Sequence, residues 1–311
     1  MQATTRPNLF IVGQPKSGTS ALFAFLKGHP DVCVSSTKEP QYFNSDINSQ
    51  YFYLSKQERN EENYLKLYAH CSGQKILMEG STAYLYSHVA AEAIYAFNPN
   101  AKIIMMLREP VDFLFTYHTQ MLRTSCPFEE VEDFMTAMEL EAERKAGKRI
   151  PKNCFVEKFL YYSDRASYTE QIERFRKVFP AEQLKIIIHE DFKANNEAVY
   201  DEVAAFLGLD AAYRPQFKTI NSKVGVRFRR LKQASDQLLF PVKQWVRPRL
   251  PAGFYKTGRL LYRKLFFRTK GLPTLRPEDK IVLMRRYKEE VARLSACMGR
   301  DLSTLWGYDK V

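Results

Sequence analysis

One stretch constrains this chain more than any other: Gly13-Gln14-Pro15-Lys16-Ser17-Gly18-Thr19-Ser20-Ala21-Leu22. The apolar run before it, Leu9-Phe10-Ile11-Val12, is too short for a helix, and its β-branched and aromatic content reads as a buried strand. A helical pattern of Ala21, Leu22, Phe25 and Leu26 begins directly after it. Strand, tight glycine turn and helix start, in that order, aim several unbonded backbone N–H groups and the positive end of a helix dipole at one place. Such a place holds an anion, phosphate or sulfate best of all.

The residues inside the turn narrow the chemistry. A triphosphatase loop carries a lysine directly after its second glycine and a hydroxyl for magnesium next to it. Here Gly13 and Gly18 keep the glycine spacing, but Thr19 stands where that lysine belongs, and the loop's lysine is Lys16, in mid-turn. Lys16 reaches a bridging oxygen at the loop's mouth, while Thr19 and Ser20 offer neutral hydroxyls to a terminal phosphate. This set suits a nucleotide whose chemistry needs no metal.

The block Pro15-Lys16-Ser17-Gly18-Thr19-Ser20 resembles the 5′-phosphosulfate loop of sulfotransferases that use 3′-phosphoadenosine 5′-phosphosulfate (PAPS). A second block strengthens the resemblance. After the strand-like Ile103-Ile104-Met105-Met106-Leu107 comes Arg108-Glu109-Pro110-Val111, with Thr116 eight positions after the arginine. The resemblance implies that Arg108 and Thr116 hold the 3′-phosphate that separates PAPS from ATP, Thr116 standing for the more usual serine, and that 3′-phosphoadenosine 5′-phosphate (PAP) is the product. It implies an α/β, P-loop-like three-layer fold with a central parallel sheet flanked by helices, here followed by a basic helical C-terminal region. Since it spans Asn8 to Arg230, the expected division is a PAPS-binding domain over 1–230 and a basic segment with a closing helix, packed on the same domain, over 231–311.

A short strand, Val32-Cys33-Val34-Ser35, runs into Thr37-Lys38-Glu39-Pro40-Gln41-Tyr42-Phe43. Alone, a glutamate before proline reads as an exposed turn acid. Beside the two nucleotide blocks, Lys-Glu-Pro followed by aromatics resembles the carbohydrate and bacterial branch of the sulfotransferases, which implies that Glu39 is the base for the acceptor. The catalytic set is then Lys16 and Glu39. The nucleotide set is Lys16, Ser17, Gly18, Thr19, Ser20, Arg108 and Thr116, with Lys223 and Arg227 closing over the adenine and 3′-phosphate as in resembling bacterial enzymes. Many glycan sulfotransferases have a lysine where Gly80 falls. Its absence tilts the expected acceptor toward a small molecule or short glycan, with O- and N-sulfation both open.

Charge and composition bound the rest. The 311 residues carry a net charge of +12, and the stretch from Lys223 to Lys270 contains 14 Lys and Arg against one acid, Asp236. Segment 231–270 interleaves these with Leu238, Trp245, Phe254 and Leu265, a cationic amphipathic pattern that fits a lid, a subunit contact in a homo-oligomer or peripheral docking on an anionic surface. A basic binding protein acting through this segment alone, or a P-loop kinase or triphosphatase, are the competing readings. The first leaves the Lys16 loop without a purpose, and the second lacks its lysine. No nucleic-acid partner is expected. The scattered Cys33, Cys71, Cys126, Cys154 and Cys297 read as idle thiols in a reducing compartment, with no histidine in metal-ligand spacing. With no run of about 20 apolar residues and no apolar N-terminal signal, the expectation is a soluble cytoplasmic protein. His118 reads as a packed or solvent-facing histidine rather than a catalyst. Later elements are a strand at Leu184 to Ile188, an amphipathic helix over Pro277 to Met298, and Trp306 anchoring the tail.

Overall fold

A computed structural model of the chain describes residues 6–47, 59–123, 128–152, 154–210, 212–217 and 273–311, together with 225–226, 228, 231, 262 and 265–268. Its contacts group into two units. The first comprises Met1–Leu114, Tyr162–Ile220 and Ile281–Val311; the second comprises Phe115–Tyr161 and Asn221–Lys280.

The first unit is built on five parallel strands: β1 (Leu9–Gly13), β2 (Val32–Val34), β3 (Ile76–Gly80), β4 (Lys102–Leu107) and β5 (Leu184–Ile188), in the order β2-β3-β1-β4-β5. Four of the five read as near-continuous apolar runs, as strands covered on both faces must. Period-two alternation sends Leu9, Ile11, Met78, Ile104 and Met106 to one face, where they pack with Leu22, Phe25 and Leu26 of α1 (Thr19–Lys27) and with Val199, Val203 and Leu207. Alternate residues go to the other face, where Phe10 meets Phe43, and Phe43 and Tyr64 both meet Phe97. Tyr64 lies on α2 (Glu61–Leu65) and Phe97 ends α3 (Ala90–Phe97). The expected three-layer α/β arrangement is therefore present.

Chain order then sets the site. β1 is followed by the glycine turn and α1, β4 by α4 (Pro110–Met121), and β5 by α9 (His189–Ala194) and α10 (Asn196–Leu207). α7 (Tyr162–Ala166) and α8 (Tyr168–Arg176) precede β5. Asn195 caps α10 by accepting the Ala198 amide at 3.0 Å, which separates it from α9. After α2 the chain tightens into a 3₁₀ turn over Lys66–Tyr68.

The C-terminal helices return to the sheet. α11 (Pro277–Met298) buries Leu283, Tyr287, Val291 and Leu294, and its Glu290 accepts the Thr169 amide at 2.8 Å. α12 (Leu302–Trp306) delivers Trp306, whose indole N–H donates to Glu190 at 3.0 Å, as the anchoring expectation requires. Tyr308 donates to Glu109 at 2.5 Å. No helix among the described residues is long and apolar enough to cross a membrane.

The second unit contains α5 (Phe134–Glu139), α6 (Glu141–Lys145), a 3₁₀ turn over Glu157–Leu160 and a two-residue antiparallel ladder of β6 (Gly225–Val226) with β7 (Phe267–Arg268). Its interior holds a bidentate ion pair. Arg144 Nη1 and Nη2 donate to the two oxygens of Glu129 at 2.8 Å each, both side chains being fully buried. Glu129 also accepts the amides of Glu130 and Val131, and the Val131 carbonyl accepts His118 Nε2 at 2.9 Å. His118 is thus a packed, structural histidine.

One expectation is overturned. Cys33 and Cys71 are not idle thiols but form a disulfide across a separation of 38 residues, tying β2 to the end of the 3₁₀ turn. His70 Nε2 stands 3.6 Å from Cys33 Sγ, so Cys33, His70 and Cys71 gather their ligand atoms within 4.8 Å of one another. Neighbourhood in the sequence conceals this cluster, because the fold and not a Cys-x-x-Cys spacing brings it together. A metal ion would need the disulfide reduced first.

Two stability outcomes follow. Arg144→Leu leaves Glu129 buried and uncompensated, and should lower stability by about 3–5 kcal/mol in urea titration. Cys71→Ser releases the loop between the two cysteines and should lower the unoxidised-to-oxidised stability difference to zero, from about 4 kcal/mol in the parent protein, read as the loss of any effect of reductant on the melting temperature.

Candidate active site

The glycine turn leaves β1 in close quarters. A Cβ added to Gly13 would lie 2.7 Å from Leu85 Cβ and 3.1 Å from the Thr82 carbonyl. Gln14 then turns inward, its amide donating to the Met106 carbonyl at 2.7 Å and its side-chain NH₂ to the Gln171 carboxamide oxygen. Lys16 adopts a left-handed backbone, φ 65°, and Gly18 another, φ 100°, with a Cβ-sized gap of only 3.0 Å to the Phe192 ring. Non-glycine residues are held in that region only when their surroundings over-determine it, most often at functional sites.

Gly18 is the N-cap of α1 and supplies no side-chain cap, and the first turn of α1 carries no acid. The first amides of the helix, including those of Thr19 and Ser20, therefore point out with the dipole and no carboxylate to satisfy them. Among the described residues, Ser17 Oγ is buried without a hydrogen-bond partner, as is Nδ1 of the neighbouring His189. Burial first, and then the charge of Arg108, hold His189 below the usual imidazole range.

Arg108 closes this side. It lies just past β4, 8% exposed, with Nη1 donating to the Lys16 carbonyl at 3.4 Å and Nη2 3.7 Å from Asp112. Glu109 fixes the bend by accepting the amides of Val111 at 2.9 Å and Asp112 at 2.6 Å, while Pro110 opens α4, a position where its missing N–H costs nothing. Burial pushes the Glu109 carboxyl up, opposed by the Tyr308 hydroxyl.

Glu39 stands at the end of β3. Its amide donates to the Gly80 carbonyl at 3.1 Å, and its carboxylate accepts Thr82 Oγ1 at 3.2 Å and Gln41 Nε2 at 3.3 Å. Glu39 and Gln41 both have φ 59°, so the turn around Pro40 carries two left-handed residues. It is held by hydroxyls below. Gln41 N–H donates to Ser81 Oγ at 3.2 Å, and the amides of Tyr42 and Phe43 both donate to Tyr84 Oη, at 2.8 and 3.2 Å. Beneath these hydroxyls lies Glu79, fully buried, accepting Tyr64 Oη at 2.5 Å and Ser81 Oγ at 2.6 Å. Burial pushes the Glu79 carboxyl up to about 7, against the pull of the Ser81, Tyr64 and Tyr84 hydroxyls, with the Glu39 charge adding to the rise.

Lys16, Ser17, Gly18, Thr19, Ser20, Arg108 and Glu39 therefore gather at the carboxyl ends of β1, β3 and β4, the edge where open α/β sheets bind ligands. Thr116 lies in the second turn of α4 and belongs to the second unit. Lys223 and Arg227 lie outside the described residues, as does most of 231–270. The sequence pointed to no role for Glu79, hidden inside an apolar strand, nor for Lys38, whose side chain meets both Ser20 and Glu39. A single carboxylate in the run Ile76-Leu77-Met78-Glu79-Gly80 was the available signal for the first. His189-Glu190-Asp191 is no triad: Glu190 holds Trp306, Asp191 pairs with Arg300, and His189 faces the glycine turn.

The sulfotransferase domain family matches residues 6–232, more than two thirds of the sequence, and the chain belongs to that family. A solved sulfotransferase from Alicyclobacillus acidocaldarius superposes with a TM-score of 0.70 at 26% identity, covering 97% of this chain and 99% of that one. The human bifunctional heparan sulfate N-deacetylase/N-sulfotransferase 3 is 28% identical over 209 residues, 65% of this chain and 22% of that protein. Mouse heparan sulfate glucosamine 3-O-sulfotransferase 5 is 28% identical over 188 residues, 58% of this chain and 47% of that protein. The chain thus spans less than half the length of these two curated relatives.

The raised Glu79 carboxyl gives a pH signature. In the folded state it binds its proton up to about pH 7, whereas an unfolded glutamate releases it near 4.5. The folded chain therefore holds more protons between those values, and this contribution, on the order of 3 kcal/mol, is present below pH 4.5 and lost as pH rises toward 7. Urea midpoints measured from pH 4.5 to 7.5 should show a decline that Glu79→Gln flattens.

Proposed function

We propose that this protein transfers a sulfuryl group from PAPS to a hydroxyl or amine of a small-molecule or glycan acceptor. The observation that carries the reading is the uncapped start of α1, with the orphaned Ser17 hydroxyl and Arg108 beside it and Glu39 at the adjacent strand end. These residues fit the nucleotide. Lys16 and the amides of the turn take the 5′-phosphosulfate, Ser17, Thr19 and Ser20 add hydroxyl contacts, and Arg108 takes the 3′-phosphate, the role that the family resemblance also gives to Thr116. Lys223 and Arg227, outside the described residues, are the further residues assigned to the adenine and 3′-phosphate, within a donor-binding stretch of 1–230. PAPS supplies, when bound, an activated sulfuryl group on a phosphate leaving group.

The chain's own residues do the remaining work. Backbone amides and Lys16 meet charge as it grows on the leaving oxygen, with no reorganisation at the moment of transfer. Glu39, oriented by Thr82 and Gln41, takes the acceptor proton. The names of the two heparan sulfate relatives support a glycan acceptor. Gly80 offers no side chain toward it, which favours a short glycan or small molecule.

The two assignments separate in a binding experiment. Glu39→Gln should slow turnover by about 10²- to 10⁴-fold and leave PAP affinity close to that of the parent protein. Arg108→Ala should chiefly weaken PAP binding, by tenfold or more, because it removes a charge-assisted contact to phosphate. Calorimetric titration of PAP into all three proteins checks both, and an equal loss of affinity in the two variants contradicts the assignment.

A further inference from the structure

One ammonium group joins the glycine turn to the base. Lys38 Nζ donates to Ser20 Oγ at 2.8 Å and stands 3.6 Å from Glu39 Oε1. Its stem is held on the way. Nζ lies 5.8 Å from the Phe23 ring centroid, and a Cβ placed on Gly80 would come within 3.9 Å of Lys38 Cε and 3.0 Å of the Phe23 ring. Glycine at position 80 therefore leaves Phe23 in place, and the lysine stem passes beside it at ordinary van der Waals distance. The side chain is 32% exposed, so its head remains accessible from the mouth of the site.

The geometry has a consequence for a group that must pass between the two ends. In the reading above, the donor is anchored by the turn and by the hydroxyls at the start of α1, while the acceptor oxygen lies where Glu39 can take its proton. The path of the moving group thus runs between Ser20 and Glu39. Lys38 bridges that interval. An ammonium has three donors; one is used on Ser20, one faces Glu39, and the third is directed by neither contact.

Resting on the sulfuryl-transfer reading, we propose that Lys38 is a further catalytic residue, whose ammonium binds the non-bridging sulfuryl oxygens of the donor as the group crosses from the turn to the acceptor. In the step, the bond from sulfur to the 5′-phosphate oxygen breaks with its electron pair left on that oxygen. The acceptor oxygen forms the new bond to sulfur and its proton passes to Glu39. Lys38 neither gains nor loses a proton. It follows the negatively charged oxygens that stay on sulfur throughout, and it keeps the Glu39 carboxylate directed at the same point. A cation already in place before the step meets that charge with no reorganisation at the moment of transfer.

The inference predicts a difference between two nucleotides that share every atom except the sulfuryl group. PAP and PAPS are titrated separately by calorimetry into the parent protein, Lys38→Met and Lys38→Arg, without acceptor. Lys38→Met should bind PAP as the parent does and PAPS at least about tenfold more weakly, the loss of one charge-assisted contact. Lys38→Arg should retain most of the PAPS affinity. Melting temperatures of the three proteins should agree closely, because a half-exposed ion pair contributes little to stability. If Lys38→Met binds both nucleotides as the parent does, or weakens both alike, the assignment of Lys38 is overturned while the nucleotide site stands. If the parent protein itself binds neither, the sulfuryl-transfer reading and the role of Lys38 fall together.

Discussion

Parallel pairing is the constraint on which the rest depends. Five strands running the same way present all their carboxyl ends at one edge, and each must then return by a crossover to the opposite edge. The turn after β1, the Arg108 bend after β4 and the residues that follow β3 therefore share a rim without any residue being selected to bring them together. What selection of side chains adds is the chemistry of that rim: amides left uncapped by Gly18, a guanidinium on the Lys16 carbonyl, and a carboxylate on the neighbouring strand end.

A second theme is how strain is supported. Glu39 and Gln41 hold left-handed backbones on either side of Pro40, conformations that cost free energy for residues with side chains. The offset comes from below, where Ser81, Tyr84 and Tyr64 form a hydroxyl layer between the turn and the buried Glu79. A carboxylate with several hydroxyl donors fixes the orientation of each, so the amides of Gln41, Tyr42 and Phe43 meet acceptors aimed at them. Replacing this layer with apolar side chains of equal volume would keep the packing and lose the direction.

The fold was legible in the sequence because its signals are local. Leu9 to Val12, Lys102 to Leu107 and Leu184 to Ile188 are short apolar runs between turn residues, and each is a strand close to where the pattern puts it. The glycine turn and Arg108 were legible for the same reason, since spacing along the chain sets their chemistry. What escaped was contact between distant positions. The Cys33–Cys71 disulfide depends on how the 3₁₀ turn settles beside β2, Glu79 on which face of β3 looks toward Tyr64, and Lys38 on the start of α1 bringing Ser20 to it. None of these follows from periodicity. The adjacent acids Glu190 and Asp191 serve the same kind of distant contact, holding Trp306 and Arg300.

Among the described residues, β2 is the outermost strand on its side of the sheet, and it is only three residues long. Beside it the sulfur bridge clamps the following turn against the strand. A free sheet margin is an invitation to intermolecular β-augmentation, and brevity is one of the ways proteins decline it. Here the margin is too narrow to template a foreign strand, and the clamp resists the fraying that would lengthen it, so this flank of the molecule is protected against runaway self-association.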